Sequence, residues 1–247
     1  MLIRVEAISA EGGDLINRAS TPPLSPGYIL GYAAAGEVIA VGPEAHDRLV
    51  GQRVISFDLC GSHATMRAVQ ASRTWLVPDG LDRAAAALPI LFGTAHHSLL
   101  TRSGLGEGEA VLIRDGDGAI GLAAIQLAHQ SRATLITTVS GCERAQRLAV
   151  FGLAHALNSR MRNVAEEGMR LPDGPGVNLI VDPVGSTLRS SRASLRPEGR
   201  LVFVGNTGGA ALDLDLRSAL QANQPLRGVF MGTESLFCSA ETVLAGI

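Results

Sequence analysis

The stretch with the clearest chemical potential is a glycine-rich turn, in which Gly116, Gly118 and Gly121 form a G-x-G-x-x-G pattern. It follows a short apolar run, residues 111–113, that is typical of a buried strand, and it leads into an apolar run, residues 122–128, that is typical of a buried helix. Glycines here allow a tight strand-to-helix turn and close approach of a pyrophosphate to the helix N-terminus. In this context the motif predicts a dinucleotide-binding site. The alternative is a chance glycine turn in a chain with 29 glycines.

The choice of dinucleotide depends on the residues after the next predicted strand, residues 134–139. An NAD site usually places Asp or Glu about 20 residues beyond the glycine loop, on the ribose hydroxyls. Here the strand ends without an acid, and Ser140 and Arg144 follow. A short hydroxyl and a guanidinium suit a 2′-phosphate, so we predict NADPH, with NADH less favoured. Alternatively, Arg144 is a solvated helix residue that pairs with Glu143 or with another acid.

The predicted phosphate loop is unusually acidic, because Asp115 and Asp117 flank its first glycine. A carboxylate about 4 Å from a phosphate charge costs about 1 kcal/mol in water and roughly 4 kcal/mol at a surface-like dielectric. Arg114 could offset one carboxylate, or both side chains could point to solvent. Otherwise the loop binds a dinucleotide poorly, and the residues alone leave these alternatives open.

Composition narrows the class of protein. The 247 residues are 46% hydrophobic and 18% charged with a net charge of −2, which fits an ordinary globular core without a basic run for nucleic acid. The longest apolar stretch, residues 84–95, is too short to span a bilayer, and residues 1–6 read as a strand rather than a leader. We therefore expect a cytoplasmic protein in a reducing compartment, which also fits three widely spaced cysteines, Cys60, Cys142 and Cys238.

The chain divides into a β-rich part and a part in which strands and helices alternate. Glycines and prolines, among them Gly12 and Gly13 as a chain break, separate short predicted strands at residues 2–7, 31–42, 51–57 and 72–78, the pattern of a small barrel or sandwich. Helical composition begins at residues 84–88 and 95–105. Beyond residue 111, strands at residues 134–139, 177–182 and 200–205 alternate with helices ending near residue 131 and at residues 143–151 and 188–195. This alternation predicts a doubly wound parallel sheet.

The order and spacing of these stretches resemble the medium-chain dehydrogenase/reductase superfamily, in its zinc-independent quinone oxidoreductase and enoyl reductase branch. The stretches that carry the resemblance are residues 31–42, 77–81, 87–89 with Thr94 and Ala95, 108–128, 181–185 and 195–201. The resemblance implies an α/β fold with a Rossmann-type doubly wound parallel sheet plus a partial GroES-like β-barrel domain, with cofactor and substrate between the two. The implied divisions are a GroES-like substrate domain (1–90), a dinucleotide-binding domain (91–225), and an edge strand with the start of a return to the first domain (226–247). Compared with the family, the chain is expected to be short at both ends.

The resemblance also implies a function, an NADPH-dependent, zinc-independent oxidoreductase that transfers hydride to a quinone or an α,β-unsaturated carbonyl. A homodimer is the family expectation, with residues 200–204 and 226–231 as edge strands, and a small-molecule substrate is the expected partner. The alternative is a catalytically silent cofactor-binding or structural relative, suggested by the acidic loop and the short ends. The implied cofactor-binding residues are Thr94, Gly116, Gly118, Ile120, Gly121, Ser140, Arg144, Gly205, Asn206 and Thr207.

The comparison with the family also bears on the proton donor. Many relatives carry Asn and Tyr where this chain has Glu11 and Ile16, whereas Asp14 and Arg18 match the family. Glu11 could handle a proton if burial raised its pKa. Otherwise Glu11 is an exposed loop acid and the proton comes from water. Asp14, the other candidate catalytic residue, is expected to hold the loop.

Zinc is not expected. Zinc-dependent members carry His-Glu after the glycine that matches Gly31, and a cluster of closely spaced cysteines. This chain has Tyr32 and Ala33 there and no cysteine cluster. Cys60 and His63 could supply two ligands, but a catalytic zinc needs three from the protein. We therefore interpret both as turn or packing residues.

Overall fold

The computed structural model describes residues 1–230 of the chain apart from residues 21, 24, 44, 46, 83, 84, 87, 154, 161, 162, 171–174 and 210–213. The described residues form two compact units, Met1–Gly93 and Thr94–Phe230. The predicted return segment at residues 231–247, including Cys238, lies outside the described residues, as do two positions of the helix predicted at residues 84–88. Among the described helices, none is long and apolar enough to cross a membrane.

The first unit is built on an antiparallel sheet of five strands. In spatial order β4-β1-β2-β3-β5, its strands are β1 (Leu2–Ser9), β2 (Ala33–Ala40), β3 (Arg53–Phe57), β4 (Met66–Ala68) and β5 (Thr74–Leu76). Ile3, Val38 and Val54 of the central strands pack into one apolar cluster. Gly36 lets β1 and β2 approach closely, since a Cβ there would stand 2.9 Å from Cγ2 of Ile3.

The helix α1 (Gly12–Ser20) corrects the sequence prediction, which has a chain break at Gly12 and Gly13. Both glycines lie in the first turn of the helix rather than in its interior, where glycine is costly. Gly13 also lies against Tyr32, because a Cβ would stand 3.2 Å from Cε2 of that ring. α1 is only nine residues long and opens with two glycines, which in sequence are typical of a turn rather than of a helix.

The second unit is built on a six-stranded sheet in which all strands are parallel. In spatial order β11-β10-β9-β6-β7-β8, its strands are β6 (Ala110–Ile113), β7 (Thr134–Val139), β8 (His155–Asn158), β9 (Val177–Asp182), β10 (Leu195–Phe203) and β11 (Leu226–Gly228). The chain starts in the middle of the sheet at β6, runs outward to β8 and then returns to β9 beside β6. In such sheets ligands bind outside the carboxyl ends of the strands, where the order reverses.

Helices lie before β6 and between the strands of this sheet. After α1 they are α2 (Gly93–His96), flanked by wide π-type helical turns at Leu88–Phe92 and His97–Thr101, then α3 (Ala119–Gln130), α4 (Cys142–Leu148), α5 (Val164–Met169), α6 (Leu188–Arg192) and α7 (Leu216–Gln221). The core under them is aliphatic, and its buried members include Leu112, Ile136, Ile180 and Leu201 from four neighbouring strands. These strands are buried on both faces, which explains their near-continuous apolar sequences.

The predicted elements agree with the structure to different degrees. The strands predicted at residues 134–139 and 177–182 coincide with β7 and β9. β10 begins earlier than the strand predicted at residues 200–205, because Leu195 already pairs with Val177, and α6 accordingly ends at Arg192. Four further elements, β4, β8, α5 and α7, are not predicted from the sequence, because they are short and carry no long apolar run. The predicted placement of residues 200–204 at a sheet edge is wrong, since β10 pairs with both β9 and β11.

An ion pair ties β6 to β10 across the sheet. Arg200 donates from Nη1 and Nη2 to the two carboxylate oxygens of Glu109, at 2.9 and 2.6 Å, and Gly106 N–H donates to Oε2 at 2.9 Å. The Arg200 hydrogen bond is the main cause that lowers the pKa of Glu109. The stability that this pair contributes is therefore present above the ordinary glutamate pKa and is lost as pH falls through the lowered value.

Candidate functional site

The glycine motif forms the turn from β6 to α3, and its three glycines are packed tightly. A Cβ on Gly121 would stand 2.7 Å from Cα of Gly116, and one on Gly116 would stand 2.9 Å from Cβ of Thr137. A Cβ on Gly118 would stand 3.0 Å from Cγ of Asp115, at the movable end of a side chain. At Gly116 and Gly121 the neighbours cannot give way so readily. The turn therefore has the close approaches that a backbone cradle for phosphate requires.

The N-terminus of α3 suits an anion. Its N-cap residue is Gly118, which has no side chain to accept from the N–H groups of the first turn. Those groups, including the N–H of Ile120, have no acceptor within the helix, and the helix dipole favours negative charge at this end. The residues present therefore fit a dinucleotide pyrophosphate, although its binding by these particular residues stays a prediction.

Two carboxylates lie in this turn, and each is held differently. Asp115 is exposed, has a φ of 52°, and donates its backbone N–H to Oγ1 of Thr138 at 3.0 Å. Desolvation raises the pKa of Asp115, and the charge of Asp117 raises it further against the opposing effect of Arg144. The Asp117 side chain is only 13% exposed, and its Oδ1 is buried without a hydrogen-bond partner among the described residues. The turn therefore concentrates negative charge.

Asp117 is paired with Arg144 of α4, the helix that follows β7 and Ser140. Arg144 Nη1 donates to Oδ2 of Asp117, and the arginine side chain remains 54% exposed. Glu143, the partner considered from sequence, instead accepts from Nη2 of Arg147 at 3.1 Å. The hydrogen bond and then the charge of Asp117 raise the pKa of Arg144. The guanidinium predicted to hold a 2′-phosphate therefore already holds a carboxylate.

Arg114 does not offset the acidic loop, which was one of the alternatives open from sequence. It is buried, and it donates from Nε to Oγ of Ser191 at 2.8 Å and from Nη2 to Oγ of Ser190. Ser191 Oγ donates in turn to Oδ2 of the fully buried Asp182 at 2.7 Å. Burial lowers the pKa of Arg114, and the charge of Asp182 opposes that shift. This network is not predicted from the sequence. Its signal there is that a charged residue stands at the end of each of two buried strands, Arg114 after β6 and Asp182 at the end of β9.

The loop after β10 packs against the residues that follow β9. A Cβ on Gly205 would stand 2.6 Å from the carbonyl oxygen of Pro183, and Thr207 Oγ1 donates to the same oxygen at 3.4 Å. Asn206, between them, is exposed. These residues therefore lie at the carboxyl edge of the sheet, where open α/β sheets bind ligands. Their contact with a cofactor stays a prediction.

Buried polar atoms mark the helical turns around α2. Thr94 is buried, and its Oγ1 has no hydrogen-bond partner within the part of the chain that the structure describes. Nδ1 of His96 is likewise buried without a hydrogen-bond partner among the described residues. Burial lowers the pKa of His96, so the imidazole is neutral at pH 7. Because buried polar groups are nearly always hydrogen-bonded, the unpaired hydroxyl of Thr94 fits a residue that binds a ligand.

Glu11 and Asp14 lie together in the first unit. Glu11 is 7% exposed, accepts from Oγ of Ser9, and donates its backbone N–H to Oδ2 of Asp14 at 2.8 Å. Desolvation raises the pKa of Glu11, and the charge of Asp14 adds to this shift, whereas the Ser9 hydrogen bond opposes it. The interpretation of Glu11 as an exposed loop acid is therefore wrong, because the residue is buried and its carboxyl group accepts from Ser9 Oγ.

The residues weighed as zinc ligands form no evident metal site. His63 Nε2 lies 3.8 Å from Oδ2 of Asp14, and Cys60 is a free, exposed thiol. Across the described ranges, no group of three or more His, Cys, Asp or Glu side chains is placed to hold a metal ion. Zinc independence stays a prediction. The predicted site residues are thus divided between the units, with Glu11 and Asp14 in the first and the cofactor-binding residues in the second.

Two protein families match successive parts of the chain. Residues 1–89 match the alcohol dehydrogenase GroES-like domain, and residues 119–245 match the family described as zinc-binding dehydrogenase. The chain belongs to the medium-chain dehydrogenase/reductase superfamily. The predicted fold class, a Rossmann-type parallel sheet with a GroES-like domain, is confirmed.

Several relatives carry names of reductases. The chain is 30% identical to 2-haloacrylate reductase of Burkholderia sp, over 99% of this chain and 80% of that protein. It is 31% identical to quinone oxidoreductase of Pseudomonas aeruginosa, over 94% of this chain and 74% of that protein. It spans only 43% of the synaptic vesicle membrane protein VAT-1 homolog of Danio rerio, to which it is 28% identical over 83% of this chain.

Solved structures with NADPH resemble the chain. The quinone oxidoreductase of Escherichia coli in complex with NADPH is 25% identical, with a TM-score of 0.86 over 100% of this chain and 78% of that one. A mycobacterial protein complexed with NADPH is 29% identical, with a TM-score of 0.90 over 100% of this chain and 79% of that one.

Proposed function

We propose that this chain is an oxidoreductase that uses NADPH, without zinc, to transfer hydride to a quinone or an α,β-unsaturated carbonyl compound. The observation that carries the proposal is the glycine turn at the N-terminus of α3 with the Arg144 guanidinium beside it. The names of the relatives support this substrate class, and two similar structures were solved with NADPH.

Each predicted cofactor-binding residue has a part in this proposal. Bound NADPH supplies the hydride, and the chain must bind and orient it. The glycine turn and the first-turn N–H groups of α3, including that of Ile120, hold the pyrophosphate. Ser140 and Arg144 hold the 2′-phosphate. The residues proposed to bind nearer the nicotinamide are Thr94, Gly205, Asn206 and Thr207.

We propose the division into a substrate domain (1–90), a dinucleotide-binding domain (91–225) and an edge segment (226–247). β11 lies at an edge of the described sheet, which supports the third part. A homodimer and a small-molecule substrate are proposed from the family resemblance.

Arg144→Ala is expected to weaken NADPH binding about tenfold to a hundredfold and NADH binding much less, because only NADPH carries the 2′-phosphate that a guanidinium can bind with charge-assisted hydrogen bonds. The measurement is a titration of purified protein followed by nicotinamide fluorescence. Arg147→Ala, on the same helix and paired with Glu143, is the matched control and should retain the affinity. Binding of neither cofactor by the unaltered chain contradicts the proposal, as does an equal loss for both in Arg144→Ala.

A second candidate function is cofactor binding without turnover. The observation that favours it is the Asp117 carboxylate on Arg144, which opposes a productive phosphate site. Consumption of NADPH absorbance with a simple quinone or enone identifies the enzyme. Tight NADPH binding without consumption across a broad panel of both substrate classes identifies the silent relative.

Glu11→Gln is expected to lower turnover about a hundredfold and to remove the loss of rate at high pH, if Glu11 donates the proton. Burial raises the pKa of Glu11, so it keeps its proton to higher pH than an ordinary glutamate, and a donor fails as pH rises through that pKa. Because the folded protein raises this pKa, protonated Glu11 stabilises the fold at low pH, and that stabilisation is lost as pH rises through the raised pKa.

The readout for Glu11→Gln is the turnover number as a function of pH. Glu6→Gln is the control, because Glu6 is an exposed acid on the neighbouring strand β1. An unaltered pH profile with a retained rate in Glu11→Gln assigns the proton to water instead.

A further inference from the structure

We propose that Asp117 sets the cofactor preference of this chain by occupying the guanidinium that a 2′-phosphate needs. The inference rests on the proposed function, because it concerns how NADPH reaches Arg144. NADPH must displace the Asp117 carboxylate, whereas NADH, with a 2′-hydroxyl, has no need to. Asp117 is then a specificity-determining residue that selectively weakens binding of the phosphorylated cofactor.

The turn holds Asp117 in place at Arg144. Asp117 lies between Gly116 and Gly118, and a Cβ on Gly116 would already stand 2.9 Å from Cβ of Thr137, so the backbone has little room to shift. The Asp117 side chain is 13% exposed, its Oδ2 accepts from Nη1 of Arg144, and its Oδ1 is buried without a partner among the described residues. Arg144 is thus the counter-charge that stabilises a poorly solvated carboxylate.

The surrounding charges do not relieve this competition. Asp115, Asp117 and Glu143 all act on Arg144, and Arg147 is engaged by Glu143. A phosphate monoester brings a charge of about −1.5 to −2 at pH 7. Two anions therefore compete for one guanidinium, and binding of the phosphate costs the pairing that Asp117 makes with Arg144. A dinucleotide without the 2′-phosphate needs no such exchange, so the affinity is lowered for NADPH and not for NADH.

Asp117→Asn tests the inference in the full chain, because Asn keeps the shape of the side chain and removes its charge. The ligands are NADPH and NADH, together with adenosine 2′,5′-bisphosphate and AMP as a pair that differs by the 2′-phosphate. We expect the affinity for the two ligands with a 2′-phosphate to rise about tenfold and that for the other two to rise less than about threefold. Asp117→Ser, also uncharged, is the second variant and should show the same selectivity.

Asp115→Asn is the matched control. It removes a carboxylate from the same turn that influences Arg144 through charge rather than a hydrogen bond, and Asn tolerates a positive φ. It should raise the affinities for NADPH and NADH alike. In the Arg144→Ala background, Asp117→Asn should lose its selectivity, because the contested guanidinium is gone. The double-mutant cycle measures this coupling directly.

Two kinds of result overturn the inference. Equal rises for NADPH and NADH in Asp117→Asn would show that Asp117 acts as a general charge. Selectivity that persists without Arg144 would show that Asp117 acts on the 2′-phosphate directly and not by occupying the guanidinium. In both cases the proposed function would stand. Failure of the unaltered chain and both Asp117 variants to bind either dinucleotide, with thermal unfolding showing all three folded, would overturn the proposed function and this inference together.

Discussion

Gly121→Ala is expected to reduce NADPH affinity by at least about a hundredfold, or about 3 kcal/mol. The added Cβ would stand 2.7 Å from Cα of Gly116 and closer still to the carbonyl oxygen of Asp115. Because both are backbone atoms, no side-chain rotation relieves the clash, and the turn must move away from α3. The N–H groups proposed to bind the pyrophosphate then lose their positions. The measurement is a fluorescence titration, and NADH should be lost equally because it carries the same pyrophosphate.

The control for Gly121→Ala is Gly42→Ala. A Cβ at Gly42 meets nothing within 4 Å, so this variant makes the same chemical change without a clash. Its NADPH affinity should stay within about twofold of the unaltered chain. Unchanged binding in a folded Gly121→Ala protein would contradict the placement of the pyrophosphate at this turn.

Asp182→Ala is expected to lower the free energy of unfolding by about 3–5 kcal/mol. This fully buried carboxylate accepts from two backbone N–H groups of the following turn, at 2.9 and 3.1 Å, and from the hydroxyls of Thr187 and Ser191. Truncation leaves those donors unpaired. It also removes the charge that opposes the desolvation of Arg114. Urea denaturation followed by far-ultraviolet circular dichroism measures the loss.

Asp215→Ala provides the comparison for Asp182→Ala. Asp215 also accepts from two backbone N–H groups, those of Arg217 at 3.1 Å and Ser218 at 3.3 Å, but it is an exposed N-cap of α7. Loss of such an exposed cap should cost clearly less than loss of the buried carboxylate. If Asp182→Ala costs no more than this control, the buried network contributes little and our reading of it is wrong.

The fold and the glycine turn could be predicted because both depend on short stretches of chain. Residues 134–139 and 177–182 are apolar and β-branched runs between turns, and they coincide with β7 and β9. The G-x-G-x-x-G motif predicts the turn between β6 and α3, since such a motif needs a strand before it and a helix after it. By contrast α1 is missed, because its two opening glycines are typical of a chain break and the helix is only nine residues long.

The charge pairing in the site could not be predicted in this way. Arg144 and Asp117 are 27 positions apart, and Arg114 and Ser191 are 77 positions apart. From the residues alone, Arg114 is the natural counter-charge for the acidic turn, because it is adjacent in sequence. The direction of its side chain is decided by the packing of α6 against the sheet, which no local pattern encodes.

The residue types by themselves determined the chemistry available to this protein. They include a glycine turn predicted to bind phosphate, Arg144 with no acid at the end of β7, and Glu11 as a candidate proton donor. Only the tertiary structure decided the state of these groups. It buries Glu11 and raises its pKa, and it sets Asp117 on Arg144. The physical reason is that desolvation and charge pairing depend on atoms brought together from distant parts of the chain.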